Sequence, residues 1–359
     1  METVLIPPAN AYFLGIPTIV FSFLIPIAGV VIFSYIITMR GIPLLKAAPD
    51  KRWNRFGERF QKLLKIWLFQ YRHPRYMLAG VLHIILFTGF LVLSIRSISL
   101  VFIGISENFV FPGLGGPLGT VYNLFKDYAA TMVLVSCVIA MVRRGIFKPE
   151  RYAVPERYGK DHTSEAIFVL CIISILMISE SLFEASAAVA QTQKGLHAEF
   201  IAPLSLAWFF KVLRGGAAVE TLQGMHLIMY YIHDVTFFFF LCFLPLGKHF
   251  HVITSIFNVF FMRIDRGNIK PVRHGVSDEQ LDDLESFGVK KLEDFTWKHM
   301  LDFYSCADCG RCSDQCPANA VKRPLSPRFI SIKGRDAIFK NYPIYPVGAF
   351  APDREPLMG

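Results

Sequence analysis

Five long apolar stretches constrain this chain more than any other feature. They cover roughly residues 12–39, 77–103, 120–142, 164–187 and 220–246. A helix needs about 20 apolar residues to cross the hydrocarbon core of a bilayer. Composition agrees, since 53% of residues are hydrophobic and only 18% are charged, against about 25% charged in soluble domains. The sequence therefore predicts an all-α integral membrane protein with five transmembrane helices.

The placement of basic residues predicts the orientation of these helices. Ten Lys and Arg lie between Arg40 and Arg75, and six lie between Arg143 and Lys160. The segment 104–119 has none, and 188–219 has three. Because basic loops stay in the cytoplasm, the N-terminus is predicted outside and everything after residue 247 inside. The net charge of +9 is explained by this topology, so nucleic acid is not an expected partner.

Composition also divides the chain into three parts. Residues 1–262 form the predicted transmembrane domain, and residues 263–294 are charged and glycine-punctuated, as expected of a linker. Residues 295–359 contain four of the seven cysteines. We expect this last part to be a small cytoplasmic ferredoxin-type domain, whose natural extent reaches past residue 359 if a second cluster motif belongs to it.

The most specific motif is the cysteine run CADCGRCSDQCP. Its thiols are Cys306, Cys309, Cys312 and Cys316, and Pro317 follows. The spacing C-x2-C-x2-C-x3-C-P is the bacterial ferredoxin pattern for a [4Fe–4S] cluster. Structural zinc sites use two separated pairs of ligands, and disulfides are rare in the cytoplasm, so both alternatives are less favoured.

The fourth cysteine leaves two interpretations open. In two-cluster ferredoxins it ligates the other cluster. Either Cys316 completes a single cluster, or it belongs with a partner motif beyond residue 359.

Four histidines in or beside two apolar stretches suggest haem. His73 and His83 are ten residues apart on the second stretch, and His233 and His251 are eighteen apart on the fifth. Eighteen residues are five turns of an α-helix, so the latter two face the same way. In antiparallel helices His73 would meet His251, and His83 would meet His233. Two such pairs are what a di-haem cytochrome b requires, because neutral imidazole is a common axial ligand.

Three further polar residues lie near the predicted outer interface. Arg96, His226 and Tyr230 are candidates to bind a quinone carbonyl or a haem propionate, although ordinary interfacial anchoring is the alternative for each. The sequence identifies no catalytic residue.

The histidine spacings and the cysteine motif resemble those of known protein families. The histidine spacings, with Pro245 twelve residues after His233, resemble the di-haem gamma subunit of respiratory nitrate reductase. The cysteine-containing part is similar to membrane iron–sulfur oxidoreductases related to heterodisulfide reductase. The combination looks most like the electron-transfer-flavoprotein:menaquinone oxidoreductase type, whose members continue into a second cluster motif and CCG repeats that these 359 residues lack.

The resemblance implies a quinone-linked oxidoreductase, or a subunit of one, in the cytoplasmic membrane of a bacterium or archaeon. Its cofactors would be two haem b and a [4Fe–4S] cluster, its partners lipid and a cytoplasmic redox protein such as electron-transfer flavoprotein, and its substrate menaquinone. One alternative reverses the direction of electron transfer, so that quinol oxidation supplies electrons to a heterodisulfide- or nitrate-type reductase. The other is a non-redox membrane anchor.

Overall fold

The computed structural model describes residues 4–154, 162–265, 289, 291–323 and 325–345. Within them, five helices are long and apolar enough to cross a membrane, which confirms the predicted class. These helices are α1 (Ile19–Lys46), α3 (Met77–Ile103), α4 (Pro117–Val142), α5 (Thr163–Gln193) and α7 (Val219–Phe243).

Shorter elements join these helices. The remaining α-helices are α2 (Phe56–Leu63), α6 (Leu206–Leu213), α8 (His251–Phe260), α9 (Trp297–Tyr304), α10 (Arg311–Asp314), α11 (Pro317–Ala320) and α12 (Pro327–Asn341). π-helical turns at Leu64–Leu68 and Arg143–Phe147 extend α2 and α4. The predicted linker, 263–294, lies largely outside the described residues.

The first span begins later than its apolar pattern predicted. Residues Tyr12–Phe13 (β1) and Ile16–Pro17 (β2) pair as a short antiparallel hairpin. The buried Thr18 hydroxyl then donates to the carbonyl of Ala11 at 2.7 Å. This bond holds the hairpin against the start of α1, so the apolar residues before Ile19 are not part of the helix.

The chain forms two compact units. The membrane unit comprises Met1–Val31, His73–Pro149 and Asp161–Leu241, and the second unit comprises Ile32–Arg72, Glu150–Lys160 and Cys242–Gly359. The second unit thus contains the cysteine run together with the C-terminal half of α1, which is part of an apolar span.

A buried apolar cluster holds the second unit together. Phe250, Met300, Tyr304 and Ile338 are each at most 5% exposed, and they bring the turn before α8 into contact with α9 and α12. Arg40 on α1 joins them: its guanidinium donates to the carbonyl of Pro245 at 3.1 Å. The charged end of the first apolar helix is therefore a structural part of this unit.

Candidate functional site

The four cysteines follow α9 on one short segment of the second unit. Cys306 comes two residues after α9 ends, Cys312 lies within α10, and Cys316 precedes the first residue of α11. The turn into α10 needs Gly310, whose φ is +78° and whose Cβ, if present, would lie 2.6 Å from the carbonyl oxygen of Arg151. The local fold therefore depends on a glycine inside the motif.

Arg328 on α12 anchors the cysteine segment. It is only 3% exposed, and its Nε donates to the carboxylate of Asp308. The rest of its guanidinium donates to the carbonyls of Arg151, Tyr152 and Ala153 at 2.9–3.1 Å. A planar guanidinium is suited to this fork of acceptors. One buried side chain therefore ties Asp308, between Cys306 and Cys309, to the segment Arg151–Ala153.

Two more arginines place positive charge at the cysteines. Arg335, 1% exposed, donates to the carbonyl of Cys306 at 3.2 Å. Arg311 donates from Nε to the sulfur of Cys309 at 3.3 Å. Hydrogen bonds to the sulfurs are among the features that set the reduction potential of an iron–sulfur cluster.

The cysteine set has the donor chemistry that a cubane cluster requires. In the part of the chain that the structure describes, no group of three or more His, Cys, Asp or Glu side chains is arranged to hold one metal ion. A cubane spreads its four thiolates over four irons, and Cys306, Cys309 and Cys316 are half-buried on one loop with Cys312 exposed. The donor set and its local basic groups fit a [4Fe–4S] cluster.

Among the predicted haem ligands, His233 has a hydrogen-bonding group next to each ring nitrogen. His233 is 2% exposed, its Nδ1 lies 3.2 Å from the carbonyl oxygen of Leu176, and its Nε2 lies 3.1 Å from the hydroxyl of Ser97. Ser97 is fourteen residues beyond His83 on α3, a rise of about 21 Å. The structure thus places Ser97 opposite His233, and the pairing of His83 with His233 stays a prediction.

His73 and His83 also depart from the expected separation in depth. Their rings stack with centroids 4.3 Å apart. This is possible because α3 begins only at Met77, and His73 lies before it in a 3-10 turn. The turn folds back over Gly80, where an added Cβ would lie 2.0 Å from the carbonyl oxygen of His73.

His251 opens α8 in the second unit. Its Nδ1 lies 2.7 Å from the carbonyl oxygen of Lys248, and burial lowers the pKa of this imidazole to about 4. A neutral ring whose Nδ1–H is held by a carbonyl presents Nε2 to a metal, which is the usual state of a histidine ligand. His233 has the same Nδ1 contact. Both rings are suited to act as single haem ligands, and Nε2 of His233 lies next to the Ser97 hydroxyl in the structure.

The three interfacial candidates are all engaged in the membrane unit. Arg96 pairs with Glu180 at 3.1 Å and with Glu184 at 2.8 Å. Tyr230, 1% exposed, donates its hydroxyl to the carbonyl of Leu100 at 3.1 Å. The His226 ring stacks on Phe183 at 4.1 Å, and its Nδ1 lies 3.1 Å from the carbonyl oxygen of that same residue. These contacts are structural and do not by themselves point to a ligand.

Sequence reasoning missed a buried ionic network around Arg96. Lys126, 1% exposed, lies 2.9 Å from Asp127 and 3.2 Å from Glu180, and it also contacts Glu184. With Arg96, the network joins α3, α4 and α5. The signal was available, since a charged residue inside an apolar span is expected to be paired and to have a function.

Three known proteins show what the chain is similar to. It is 28% identical over 336 residues to the "Probable iron-sulfur-binding oxidoreductase FadF" of Bacillus subtilis, covering 90% of this chain and 44% of that protein. It is 26% identical over 299 residues to the "EtfAB:quinone oxidoreductase" of Syntrophomonas wolfei, covering 82% and 40%. It is 39% identical over 89 residues to a "Probable membrane-anchored ferredoxin" of Chromohalobacter salexigens, covering 22% and 13%.

The chain is thus a distant relative of membrane iron–sulfur oxidoreductases, and it spans less than half the length of each of these proteins. No family model matches it. No solved structure is similar to it.

Proposed function

We propose that this protein transfers electrons between a cytoplasmic redox protein and the menaquinone pool, with a [4Fe–4S] cluster on Cys306, Cys309, Cys312 and Cys316. The observation that carries the proposal is the cysteine segment, which buried arginines hold in a unit that also contains the C-terminal half of α1. The favoured donor is reduced electron-transfer flavoprotein, because the similar protein from Syntrophomonas wolfei is named for that donor and for quinone.

The residues around the motif would prepare it for redox chemistry. When bound, such a cluster accepts and releases one electron at a time. Arg328 fixes the loop, Arg311 donates to the Cys309 sulfur, and Arg335 places a buried cation beside Cys306. A cluster with four thiolates is negatively charged, so nearby cations favour its binding and its reduced form.

Two haem b groups belong to the same proposal, with His73, His83, His233 and His251 as ligands. Support comes from the Nδ1-to-carbonyl contacts of His233 and His251, which orient each ring with Nε2 as the donor atom. In His233 a haem iron would replace the Ser97 hydroxyl, which lies 3.1 Å from Nε2. Pyridine haemochrome analysis of the purified protein should give two haems per chain. Well below one haem per chain would contradict this part while leaving the cluster untouched.

A direct test uses the whole chain in liposomes that contain menaquinone. Reduced electron-transfer flavoprotein is added outside, and menaquinol is followed by absorbance. We expect turnover in the natural protein and none in Cys309→Ser, because that change removes a cluster ligand. Cys171→Ser is the matched control, since Cys171 is an exposed thiol in α5. Equal rates in Cys309→Ser and the natural protein would overturn the proposal.

Two alternatives are separated by simple observations. If menaquinol reduces the cluster while reduced flavoprotein does not, the protein is a quinol-oxidising subunit that feeds a reductase. If the purified protein has neither haem nor iron–sulfur absorbance, it is an anchor without redox function. The bias of basic residues between Arg40 and Arg75 supports a cytoplasmic cysteine module. The location is tested with a tag introduced after residue 345, which should be labelled in broken cells and not in intact cells if the cysteine module is cytoplasmic.

A further inference from the structure

An apolar cavity lies within the second unit, among α1, α8 and α9. Its volume is about 290 Å³, near the lower end of the range for small-molecule sites. Aromatic side chains line much of it: Phe250, Phe257, Phe261, Trp297 and Tyr304. Such a lining suits a flat, largely apolar ring.

One polar group in this lining has no partner among the described residues. Tyr304 is 1% exposed, and no described residue forms a hydrogen bond with its buried hydroxyl. A buried hydroxyl without a partner is unfavourable, so it marks a place where a ligand acceptor would be stabilising.

The cavity adjoins the cysteine segment. Tyr304 precedes Cys306 by two residues. The intervening Ser305 has its hydroxyl 3.0 Å from that of Thr254, which also lines the cavity. A ligand in the cavity would therefore lie beside the loop that carries the first cysteine.

We propose that this cavity binds the head group of a quinone, with its ring against the aromatic walls and one carbonyl accepting a hydrogen bond from Tyr304. The choice of quinone over another apolar ring rests on the proposed function. This location differs from Arg96, His226 and Tyr230, whose polar groups are already engaged within the membrane unit.

Gly41 offers a way to close the cavity without disturbing the fold. It lines the cavity from α1, and an added Cβ there would meet no atom within 4 Å. Gly41→Leu should therefore fill the space. Gly57→Leu is the matched control, because Gly57 is also a helical glycine with no atom within 4 Å of an added Cβ, and it does not line the cavity.

Binding is measured with menadione on the full chain in detergent. The signal is the quenching of Trp297 fluorescence, isolated by subtracting the signal of Trp297→Phe. We expect saturable quenching, a Kd at least tenfold weaker in Gly41→Leu, and an unchanged Kd in Gly57→Leu. Tyr304→Phe should weaken binding about fivefold, as loss of one hydrogen bond predicts.

Several outcomes would overturn the site. The first is no saturable quenching in the natural protein, and the second is equal Kd values for Gly41→Leu and Gly57→Leu. The third is full affinity in Tyr304→Phe together with displacement of menadione by palmitate, which would identify the occupant as an acyl chain. The assay needs no electron donor. Cavity-dependent menadione binding without flavoprotein-driven menaquinol formation would support the site and reject the proposed donor, whereas normal menaquinol formation in Gly41→Leu would reject the site and leave the function standing.

Discussion

The cysteine segment and the histidine set are both candidate cofactor ligands, and they differ in how their geometry arises. The four cysteines fall within Cys306–Cys316 on one loop. The histidines lie on separate helices, and the structure places Ser97 opposite His233 at 3.1 Å. The spacing within one loop is enough to bring the cysteines together. The histidines can meet only if two long helices are correctly aligned along their axes. A motif within one loop is thus the safer guide to a site.

The largest expected effect tests the local set. Cys309→Ser should abolish the cluster signal in electron paramagnetic resonance of the reduced protein, because oxygen replaces a thiolate ligand. Cys171→Ser should leave the signal at full intensity. Iron analysis accompanies both, and equimolar zinc without iron in the natural protein would refute the cluster assignment.

The next effect concerns what holds the loop in place. Arg328→Ala should destabilise the second unit by about 4 kcal/mol, because it leaves the buried Asp308 carboxylate without its partner. The rate of cluster loss to a chelator and the denaturant midpoint measure this change. Lys333→Ala on the same helix, at an exposed position, is the control. Similar chelation rates for the two variants would mean that the loop does not depend on α12.

A smaller effect is expected in the membrane unit. Lys126→Met should lower stability in detergent by about 3 kcal/mol, since Asp127 and Glu180 would lose a buried cation. Lys126→Met combined with Glu180→Gln should recover part of the loss. Failure of the second change to recover any stability would show that the network is not coupled in this way.

The smallest effect bears on helix register. Ser97→Ala should cost about 1 kcal/mol in haem-free protein, because His233 loses the hydrogen bond at Nε2. Ser94→Ala on the same helix is the control, since its hydroxyl donates to the local carbonyl of Leu91 at 2.9 Å. If Ser97→Ala changes neither stability nor haem content, the contact between Ser97 and His233 is absent in the folded protein.

The sequence by itself determined the five helices, and it predicts the ligand chemistry of the cysteine loop. The number of consecutive apolar residues decides whether a segment crosses a bilayer, and the C-x2-C-x2-C spacing is contained in seven consecutive residues. Both features can be read from residues that are close together in the sequence. The same reasoning could not locate the start of α1 at Ile19, because the hydrogen bond from Thr18 to Ala11 replaces helix with a hairpin.

Only the tertiary structure decided which distant groups meet. Arg328 reaches residues 151–153 across a sequence separation of about 175, and Gly41 and Tyr304 line one cavity although more than 260 positions separate them. His233 faces Ser97 because packing fixes the axial alignment of α3 and α7. A shift of one helical turn moves a side chain by about 5.4 Å, more than a metal–ligand bond can tolerate, and periodicity alone does not specify that shift.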